Sequence, residues 1–284
     1  NLLLVNTPTR FNSETTKNLA RRLAENLEAP FVELPIDSFI NETVSQIDDL
    51  QIPSPSDMKT LHLTGFMNEN IQARDRSTRI LATLSSAFGG IFTCNANKTE
   101  LTVGYGTLYG DLSGALAATA DLWKHQVYAL GRTLNRYFDK NMIPDEIFTV
   151  RPSAELSENQ DITKGLGDPL IYEYHDFLFR SFIEPWNRIT PEEILTWYSE
   201  NCLEEKLGTP VSIKSIFKTH HDFITDLEKW WNLFAGFAVA KRIQAPPLLA
   251  VSRRPYGYDL RESQIAPYYT DTYIHLKNSL LSNG

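Results

Sequence analysis

Short apolar runs alternate with helix-spaced leucines over the first fifty residues. Residues 2–5 form a continuous apolar run that suits a buried parallel strand, and 31–36 predict a second strand. Between them leucines recur every four residues, which predicts an amphipathic helix over 14–28, and a further helix is predicted over 37–49. Strand, helix, strand, helix is the order typical of a parallel sheet in an α/β fold.

The rest of the chain is predicted to be mainly helical. A third strand is expected at 91–94, directly after a Gly-Gly pair. Residues 51–60, rich in Pro and Ser, predict a linker or mobile loop, and 151–169 a flexible, lid-like loop. The last forty residues, which include Pro246, Pro247 and Pro255, predict an extended segment. The predicted helices beyond residue 60 are 68–88, 121–137, 170–186, 191–206 and 221–241.

Composition narrows the class of partner. The formal net charge of −8 argues against general binding to nucleic acid or to an anionic membrane. No apolar run approaches the roughly 20 residues that span a bilayer. The two cysteines, Cys94 and Cys202, form no disulfide framework, and a chain of this length without one fits a reducing compartment. We therefore expect a cytoplasmic protein that binds neither nucleic acid nor membrane.

Polar residues at element ends are the first chemical signal. Residues 95–100 (N-A-N-K-T-E) directly follow the predicted third strand. In an open α/β sheet the ligand lies beyond the carboxyl ends of the strands, so these side chains are placed to meet a nucleotide. The carboxylate of Glu100 offers Mg²⁺ a hard oxygen ligand. A plain capped helix start explains the same pattern equally well.

An acid and a base flank the glycine-rich stretch that comes next. Asp111 follows it, and Lys124 lies early in the next predicted helix. This arrangement suits a phosphorylated ligand, although on these two residues alone a solvated surface is the stronger interpretation. The neighbouring His125 is interpreted as structural rather than catalytic. The P-loop, H-E-x-x-H, G-x-S-x-G and C-x-x-C motifs do not occur in the chain.

Several stretches together resemble the NAD synthetase family. Residues 69–76 (E-N-I-Q-A-R-D-R) are similar to its E-N-[ILV]-[QK]-A-R-x-R helix, and 97–111 (N-K-T-E-L-T-V-G-Y-G-T-L-Y-G-D) to its longest signature. The segments 121–128, 151–156 and 241–247 continue the match in the same order. The similarity is collinear over nearly the whole chain, and the central signature is too long and unusual to be matched by chance.

The resemblance implies a fold and a reaction. The fold is a Rossmann-like parallel sheet with helices on both faces, as in adenine nucleotide alpha hydrolases, with a C-terminal helical extension. Residues 1–150 would form part of the ATP pyrophosphatase domain, and 151–284 would complete it. In the reaction ATP adenylates the nicotinate carboxylate of deamido-NAD, and ammonia then displaces AMP to give NAD. Mg²⁺ and cationic side chains would offset the charge on the phosphates.

By matching position, the resemblance assigns ligand contacts to eight residues. None of them is an obvious proton-transfer group, so catalysis by charge and positioning is expected. The assignments are Asn70, Arg74, Asp111 and Lys241 for deamido-NAD, Asn95, Lys124 and Ser153 for ATP, and Glu100 for Mg²⁺.

Three departures from the family pattern matter, the first for the ATP contact and the other two for the branch of the family. Asn95 and Ala96 replace a common Thr-Gly, while Leu108 and Ala240 stand where short ammonia-dependent members carry Lys and His. Leu108 and residues 252–257 are more similar to the glutamine-dependent branch. That branch carries an N-terminal nitrilase-type glutaminase domain, so ammonia is expected from glutamine. The family also implies a homodimer formed through this domain.

The family's S-G-G-x-D-S pyrophosphate loop does not occur in these 284 residues. It is expected upstream of Leu2, so this part of the protein is expected to be inactive alone. A non-catalytic module that binds deamido-NAD or ATP is the main alternative. Another ATP pyrophosphatase, such as a GMP synthetase, is disfavoured by the V-G-Y-x-T-x-Y-G-D segment.

Overall fold

The computed structural model describes residues 2–256 and 267–282, and the chain divides into two compact units. Each unit is assembled from separate stretches of the sequence. The first unit comprises Asn1–Phe92, Tyr109–Gly114 and Tyr128–Pro169, and the second comprises Thr93–Leu108, Ala115–Val127 and Leu170–Gly284.

Helices dominate the described residues. One π-helical segment, Asp75–Leu81, lies between α3 and α4. The α-helices in chain order are α1 (Glu14–Asn26), α2 (Asp37–Ile47), α3 (Gly65–Arg74), α4 (Ala82–Phe88), α5 (Lys98–Val103), α6 (Lys124–Tyr137), α7 (Tyr172–Ile183), α8 (Pro191–Ser199), α9 (Leu203–Leu207), α10 (Ile213–Ile216), α11 (His220–Ala235), α12 (Ala238–Gln244) and α13 (Asp271–Ser282).

The first unit begins with the predicted strand–helix–strand order. Strands β1 (Leu4–Asn6) and β2 (Phe31–Glu33) pair in parallel, with Leu4 opposite Phe31. Helix α1 connects them, and the side chain of its N-cap residue Ser13 accepts a hydrogen bond from the Thr16 amide. The prediction of a largely helical α/β fold with a parallel sheet is confirmed.

The prediction of a linker over 51–60 was wrong, because this stretch is a β-hairpin. Strands β3 (Gln51–Pro53) and β4 (Met58–Thr60) pair antiparallel, and all their residues are exposed. The Ser54 amide donates to the Asp57 carbonyl at 2.8 Å and closes the turn. The Pro- and Ser-rich core of the stretch is therefore the turn itself, while its flanks form the ladder.

The long helix predicted over 68–88 is confirmed as a continuous helical stretch from Gly65 to Phe88. It begins three residues early because the Thr64 side chain caps it by accepting from the Met67 amide. The π-helical segment follows Arg74 directly. Segments of this kind are rare and frequently lie at functional sites.

Helix α5 lies at the centre of the second unit, where α7, α11 and α12 all contact it. All but one of its residues are buried. Aromatic side chains fill the space between α7 and α11; Phe179 and Trp230, for example, have ring centroids 5.6 Å apart. The predicted strand at 91–94 is reduced to an isolated parallel bridge between Thr93 and Leu116.

Two predicted helices of the second unit are each broken in two. The helix predicted over 191–206 is α8 and α9, separated by Asn201 in the left-handed region at φ +55°. The helix predicted over 221–241 is α11 and α12, separated at Gly236. A Cβ on Gly236 would lie 2.5 Å from the Asn232 carbonyl oxygen, so the chain can leave α11 in this direction only at a glycine.

The last forty residues were predicted to be extended. This prediction is wrong for residues 271–282, the last part of the chain that the structure describes. Residues 271–282 form α13, which contacts α8 and α11 and buries Tyr273 completely. The prediction for 257–266 lies outside the described residues. Among the helices that the structure describes, none is long and apolar enough to cross a membrane.

Candidate functional site

The eight predicted contact residues are divided equally between the two units. The first unit carries Asn70, Arg74, Asp111 and Ser153, and the second carries Asn95, Glu100, Lys124 and Lys241. Within the second unit the structure brings Glu100 and Lys124 together.

The start of α5 determines where Glu100 points. Asn97 is the N-cap, and its side chain accepts from the Glu100 amide at 3.1 Å. The Glu100 carboxylate in turn accepts from the Asn97 amide at 3.1 Å and from the Asn97 side-chain amide at 2.7 Å. This reciprocal arrangement is a capping box, which confirms the interpretation of residues 95–100 as a capped helix start.

The same carboxylate also faces a cation. Lys124 Nζ lies 3.6 Å from Glu100 Oε1, and both side chains are less than one-fifth exposed. The ammonium group of Lys124 also sits 5.1 Å from the centre of the Tyr172 ring. Lys124 is therefore held against its neighbours, and the interpretation of this residue as part of a solvated surface was wrong.

Lys241 holds the glycine-rich turn that follows α5. Its ammonium group donates to the carbonyl oxygens of Gly104 at 2.7 Å and Gly106 at 2.6 Å. Gly104 has φ +65°, and a Cβ there would lie 2.9 Å from the Ala238 Cα. The close approach of α12 to this turn therefore requires glycine at position 104.

Asn95 and Asp111 are exposed. The Asn95 side chain accepts a hydrogen bond from the Thr93 hydroxyl at 3.0 Å. Asp111 lies in the first unit, just beyond the glycine-rich stretch, where its exposure leaves the solvated-surface alternative open.

In the first unit, α3 carries two candidate residues, Asn70 in its middle and Arg74 at its C-terminal end. The Asn70 side chain donates to the Phe66 carbonyl one turn earlier, at 2.8 Å. Arg74, the last residue of α3, is exposed. The next residue, Asp75, forms a close ion pair with Arg79.

Ser153 is fixed within the loop that was predicted to be lid-like. Its hydroxyl donates to the Gln160 carbonyl at 2.6 Å and accepts from the Glu155 amide at 3.2 Å. The Ala154 amide donates to the buried side chain of Asp168 at 3.1 Å. Short 3-10 turns at Glu158–Gln160 and Ile162–Lys164 continue the loop. These bonds define the conformation that presents Ser153.

Three polar side chains of the first unit were missed as candidates. Gln72 donates to the Leu156 carbonyl at 2.8 Å. Glu155 is 2% exposed, and its carboxylate accepts from the Ser13 amide at 3.1 Å and the Thr16 hydroxyl at 2.6 Å. Both lie inside motifs that carry the family resemblance, but no local pattern indicates what they bind.

Arg76, the third missed residue, anchors the loop after β1. Its guanidinium donates to the Thr7 carbonyl at 3.0 Å and to the Asn12 side chain at 3.3 Å. Burial lowers the pKa of Arg76 from its ordinary value, while surrounding carboxylates, Asp111 first among them, act to raise it. The guanidinium remains charged, since arginine is not deprotonated in proteins.

Only one group of three acidic or histidine side chains could hold a metal ion among the residues that the structure describes. It consists of Asp48, Asp49 and His62, all exposed at the base of the β-hairpin. Glu100 belongs to no such group. A metal ion at Glu100 would therefore need further oxygen ligands from a bound substrate.

Comparison with known proteins finds a family match for the sequence of this chain. A family model described as NAD synthase matches residues 1–213. The glutamine-dependent NAD(+) synthetase of Thermotoga maritima is 33% identical over 187 residues, which are 66% of this chain and 30% of that protein. The corresponding protein of Xanthomonas campestris pv. campestris is 30% identical over 261 residues, 92% of this chain and 40% of that protein.

A solved structure supports the fold. The glutamine-dependent NAD(+) synthetase from Cytophaga hutchinsonii superposes with a TM-score of 0.67 at 18% identity, covering 98% of this chain and 40% of that chain. At this identity the likeness shows the fold alone. The chain spans 30% to 40% of the length of these three relatives.

Proposed function

Because this chain belongs to the NAD synthase family, we propose that it is the synthetase part of an enzyme that amidates deamido-NAD with ATP. The observation that carries the proposal is the Glu100–Lys124 pair. The pair places a carboxylate and an ammonium group 3.6 Å apart. Glu100 lies at the start of α5, in the segment that matches the family's longest signature. A nucleotide with its metal ion needs both kinds of group.

The ATP side of the proposal assigns Mg²⁺ to Glu100 and phosphate to Lys124, with Asn95 and Ser153 as further ATP contacts. One carboxylate fits Mg²⁺, which is commonly held by one or two carboxylates together with substrate phosphates. When bound, Mg²⁺ offsets the charge that develops on the phosphates. Lys124 would meet a phosphate oxygen as a point charge, exchanging its contact with Glu100 for one with the nucleotide.

The deamido-NAD side assigns Asn70, Arg74 and Asp111 in the first unit and Lys241 in the second. The exposed guanidinium of Arg74 suits a phosphate or carboxylate of the dinucleotide. Lys241 already donates to two carbonyl groups of the glycine-rich turn. Its contribution is therefore to order that turn around the ligand.

These groups support a reaction carried by charge and position. The nicotinate carboxylate is a poor electrophile until adenylation turns one of its oxygens into part of a leaving group. Cationic side chains favour that step by stabilising the negative charge of pyrophosphate as it leaves. Ammonia then attacks the acyl carbon, AMP departs, and the ammonium proton is released.

The remaining expectations are part of the same proposal. Ammonia comes from glutamine through a glutaminase domain, the protein acts as an amidotransferase, and it forms a homodimer in the cytoplasm. Since no S-G-G-x-D-S sequence occurs in these 284 residues, we propose that they do not produce NAD by themselves. The main alternative is a module that binds deamido-NAD or ATP without catalysis.

Product analysis of the full-length protein tests the proposal. With deamido-NAD, ATP, Mg²⁺ and glutamine or ammonia, NAD and AMP should appear in equal amounts. Calorimetric binding of deamido-NAD without any turnover would favour the non-catalytic alternative. Turnover of xanthosine monophosphate in place of deamido-NAD would favour the GMP synthetase alternative.

A further inference from the structure

Asp176 carries a carboxylate that is buried within the second unit. Its position in the sequence lies outside every motif described above. It lies in α7 and is 0% exposed. Burying a charged group is costly unless its oxygens find hydrogen-bond donors, so the identity of those donors is informative.

The donors to Asp176 come from α5 and from the first turn of α6. Its Oδ1 accepts from the Thr99 hydroxyl at 2.5 Å. Its Oδ2 accepts from the His125 amide at 2.9 Å and contacts the His125 ring nitrogen Nδ1 at 2.7 Å. The Thr99 hydroxyl also accepts from the Lys124 amide at 3.2 Å. Asp176 and Thr99 thus form one connected node.

This node supplies hydrogen-bond acceptors to the first turn of α6. The first amides of a helix have no partner within the helix and need acceptors from elsewhere. Here the Lys124 amide is satisfied by α5 and the His125 amide by α7. A negative carboxylate at a helix N-terminus is also favoured by the helix dipole.

The node is adjacent to both members of the proposed nucleotide contact. Thr99 directly precedes Glu100, and the Lys124 backbone is itself one of the bonded groups. Any shift of α6 against α5 would change the 3.6 Å separation of the Glu100 and Lys124 side chains. Errors of about 1 Å in such positioning can lower catalysis by roughly 100-fold.

We propose that Asp176 is a positioning residue that, through Thr99 and the first turn of α6, holds the helix positions of Glu100 and Lys124 in the arrangement required for Mg²⁺-ATP. This rests on the proposed function for its catalytic consequence. The ring of His125 completes the node through its Nδ1 edge, and its face stacks on Phe177 at a centroid distance of 5.2 Å. His125 therefore serves α6 as a structural group.

The test uses two threonines of the same helix in the full-length protein. Thr99→Val removes the hydroxyl at nearly constant shape, and Thr99→Ser restores it. Thr102→Val is the matched control. Thr102 is equally buried in α5, and its hydroxyl also makes two hydrogen bonds, one to the Lys98 carbonyl at 2.7 Å and one from the Tyr256 hydroxyl at 2.9 Å.

Two readouts separate positioning from a general loss of stability. Thr99→Val should weaken calorimetric binding of Mg²⁺-ATP by about tenfold, the effect of losing one or two hydrogen bonds. It should also speed hydrogen exchange at the Lys124 and His125 amides. Thr99→Ser and Thr102→Val should leave binding within about threefold of wild type, although Thr102→Val lowers the melting temperature as much as Thr99→Val does.

Each outcome decides something. Equal Mg²⁺-ATP binding by the Thr99→Val and Thr102→Val variants would overturn the positioning role. A wild-type protein that binds Mg²⁺-ATP but makes no NAD would remove the proposed function, while the threonine comparison would still decide the role of Asp176. A wild-type protein that does not bind Mg²⁺-ATP would overturn both.

Discussion

Two ion pairs start on the same short helix and differ in almost every other respect. Lys98 of α5 pairs with Asp121 at 2.9 Å, and neither side chain has any exposed surface. Glu100, two residues later, pairs with Lys124 at 3.6 Å, and these side chains are 18% and 19% exposed. The two pairs contain the same kinds of charged group, yet only the second lies where a ligand can reach it.

The buried pair is fully occupied by the protein. Besides Asp121, the Lys98 ammonium group donates to the Ser252 hydroxyl at 2.8 Å and to the Arg254 carbonyl at 2.9 Å. Asp121 also accepts from the Val251 and Ser252 amides. All three ammonium hydrogens of Lys98 are thereby used, one on Asp121 and two on Ser252 and Arg254, so residues 251–254 are fixed against α5. Its position in the family signature therefore reflects folding.

The comparison teaches that two ion pairs on one helix can differ completely in burial, and that burial decides which charge a ligand can contact. A charge that is completely surrounded by protein donors and acceptors has no capacity left for a substrate. A pair at a longer distance, with part of its surface exposed, can exchange one partner for a phosphate or a metal ion. Four experiments would sharpen or break this distinction.

Replacing Lys98 should have the largest effect. Lys98→Met leaves Asp121 buried without its cation, which typically lowers the free energy of unfolding by about 3–5 kcal/mol. Lys124→Met is the matched control, and at a partly exposed pair it should cost less than about 1 kcal/mol. Urea unfolding of both variants measures the difference, and equal losses would contradict the distinction between the two pairs.

Glu100→Gln should affect activity instead of stability. Gln can still complete the capping box, so the free energy of unfolding should change by less than about 1 kcal/mol. The loss of the negative charge should lower the rate of NAD formation by roughly 100-fold, or about 2.7 kcal/mol, and raise the Mg²⁺ concentration needed for half-maximal rate. An unchanged Mg²⁺ dependence in a steady-state assay would remove Glu100 from the metal site.

Ser252→Ala tests the attachment of the C-terminal segment. The Ser252 hydroxyl accepts from Lys98 and donates to Asp121 at 2.7 Å, so its removal leaves two buried groups with one partner fewer. We expect a loss of about 1–2 kcal/mol in the free energy of unfolding. Ser199→Ala, which removes a single local hydrogen bond to the Thr196 carbonyl, is the control and should cost less.

The pH dependence should show the smallest effect. Burial acts to raise the pKa of Asp121, but hydrogen bonds from Lys98, Ser252 and Val251 outweigh it and lower the pKa below 3.8. Stability from this depressed pKa is present above the unfolded value and lost as the pH falls through the folded one. The wild-type free energy of unfolding should therefore decline more steeply below pH 3.8 than that of Asp121→Asn. Parallel curves would show that Asp121 titrates normally.

Local sequence patterns predicted the helices better than the breaks and turns between them. Leucine spacing located α1, and the apolar runs around Leu4 and Phe31 located the parallel strands. The break at Gly236 was missed because a single glycine is compatible with a helix until the Asn232 carbonyl lies against it. The hairpin over 51–60 was missed because its strands are short and fully exposed, so no alternation of apolar residues marks them.

The motifs selected the neighbourhood of the candidate site but did not show which of its charged residues are used in folding. The segment that contains Lys98, Glu100 and Gly104 was identified from the sequence, and the N-cap pattern at Asn97 was identified with it. The sequence did not show that Lys98 is buried while Glu100 remains accessible. These two residues stand two positions apart on a helix and point in different directions.

By itself, the sequence determined the family, the α/β class and the stretches of chain that carry the chemistry. These properties depend on periodicity and on motifs of neighbouring residues, which are local. Only the tertiary structure decided which charges are used up in folding and which residues hold others in place. Asp176 and Thr99 are separated by 77 positions, and Lys98 and Ser252 by 154. Contacts over such distances arise from packing, and no local pattern encodes them.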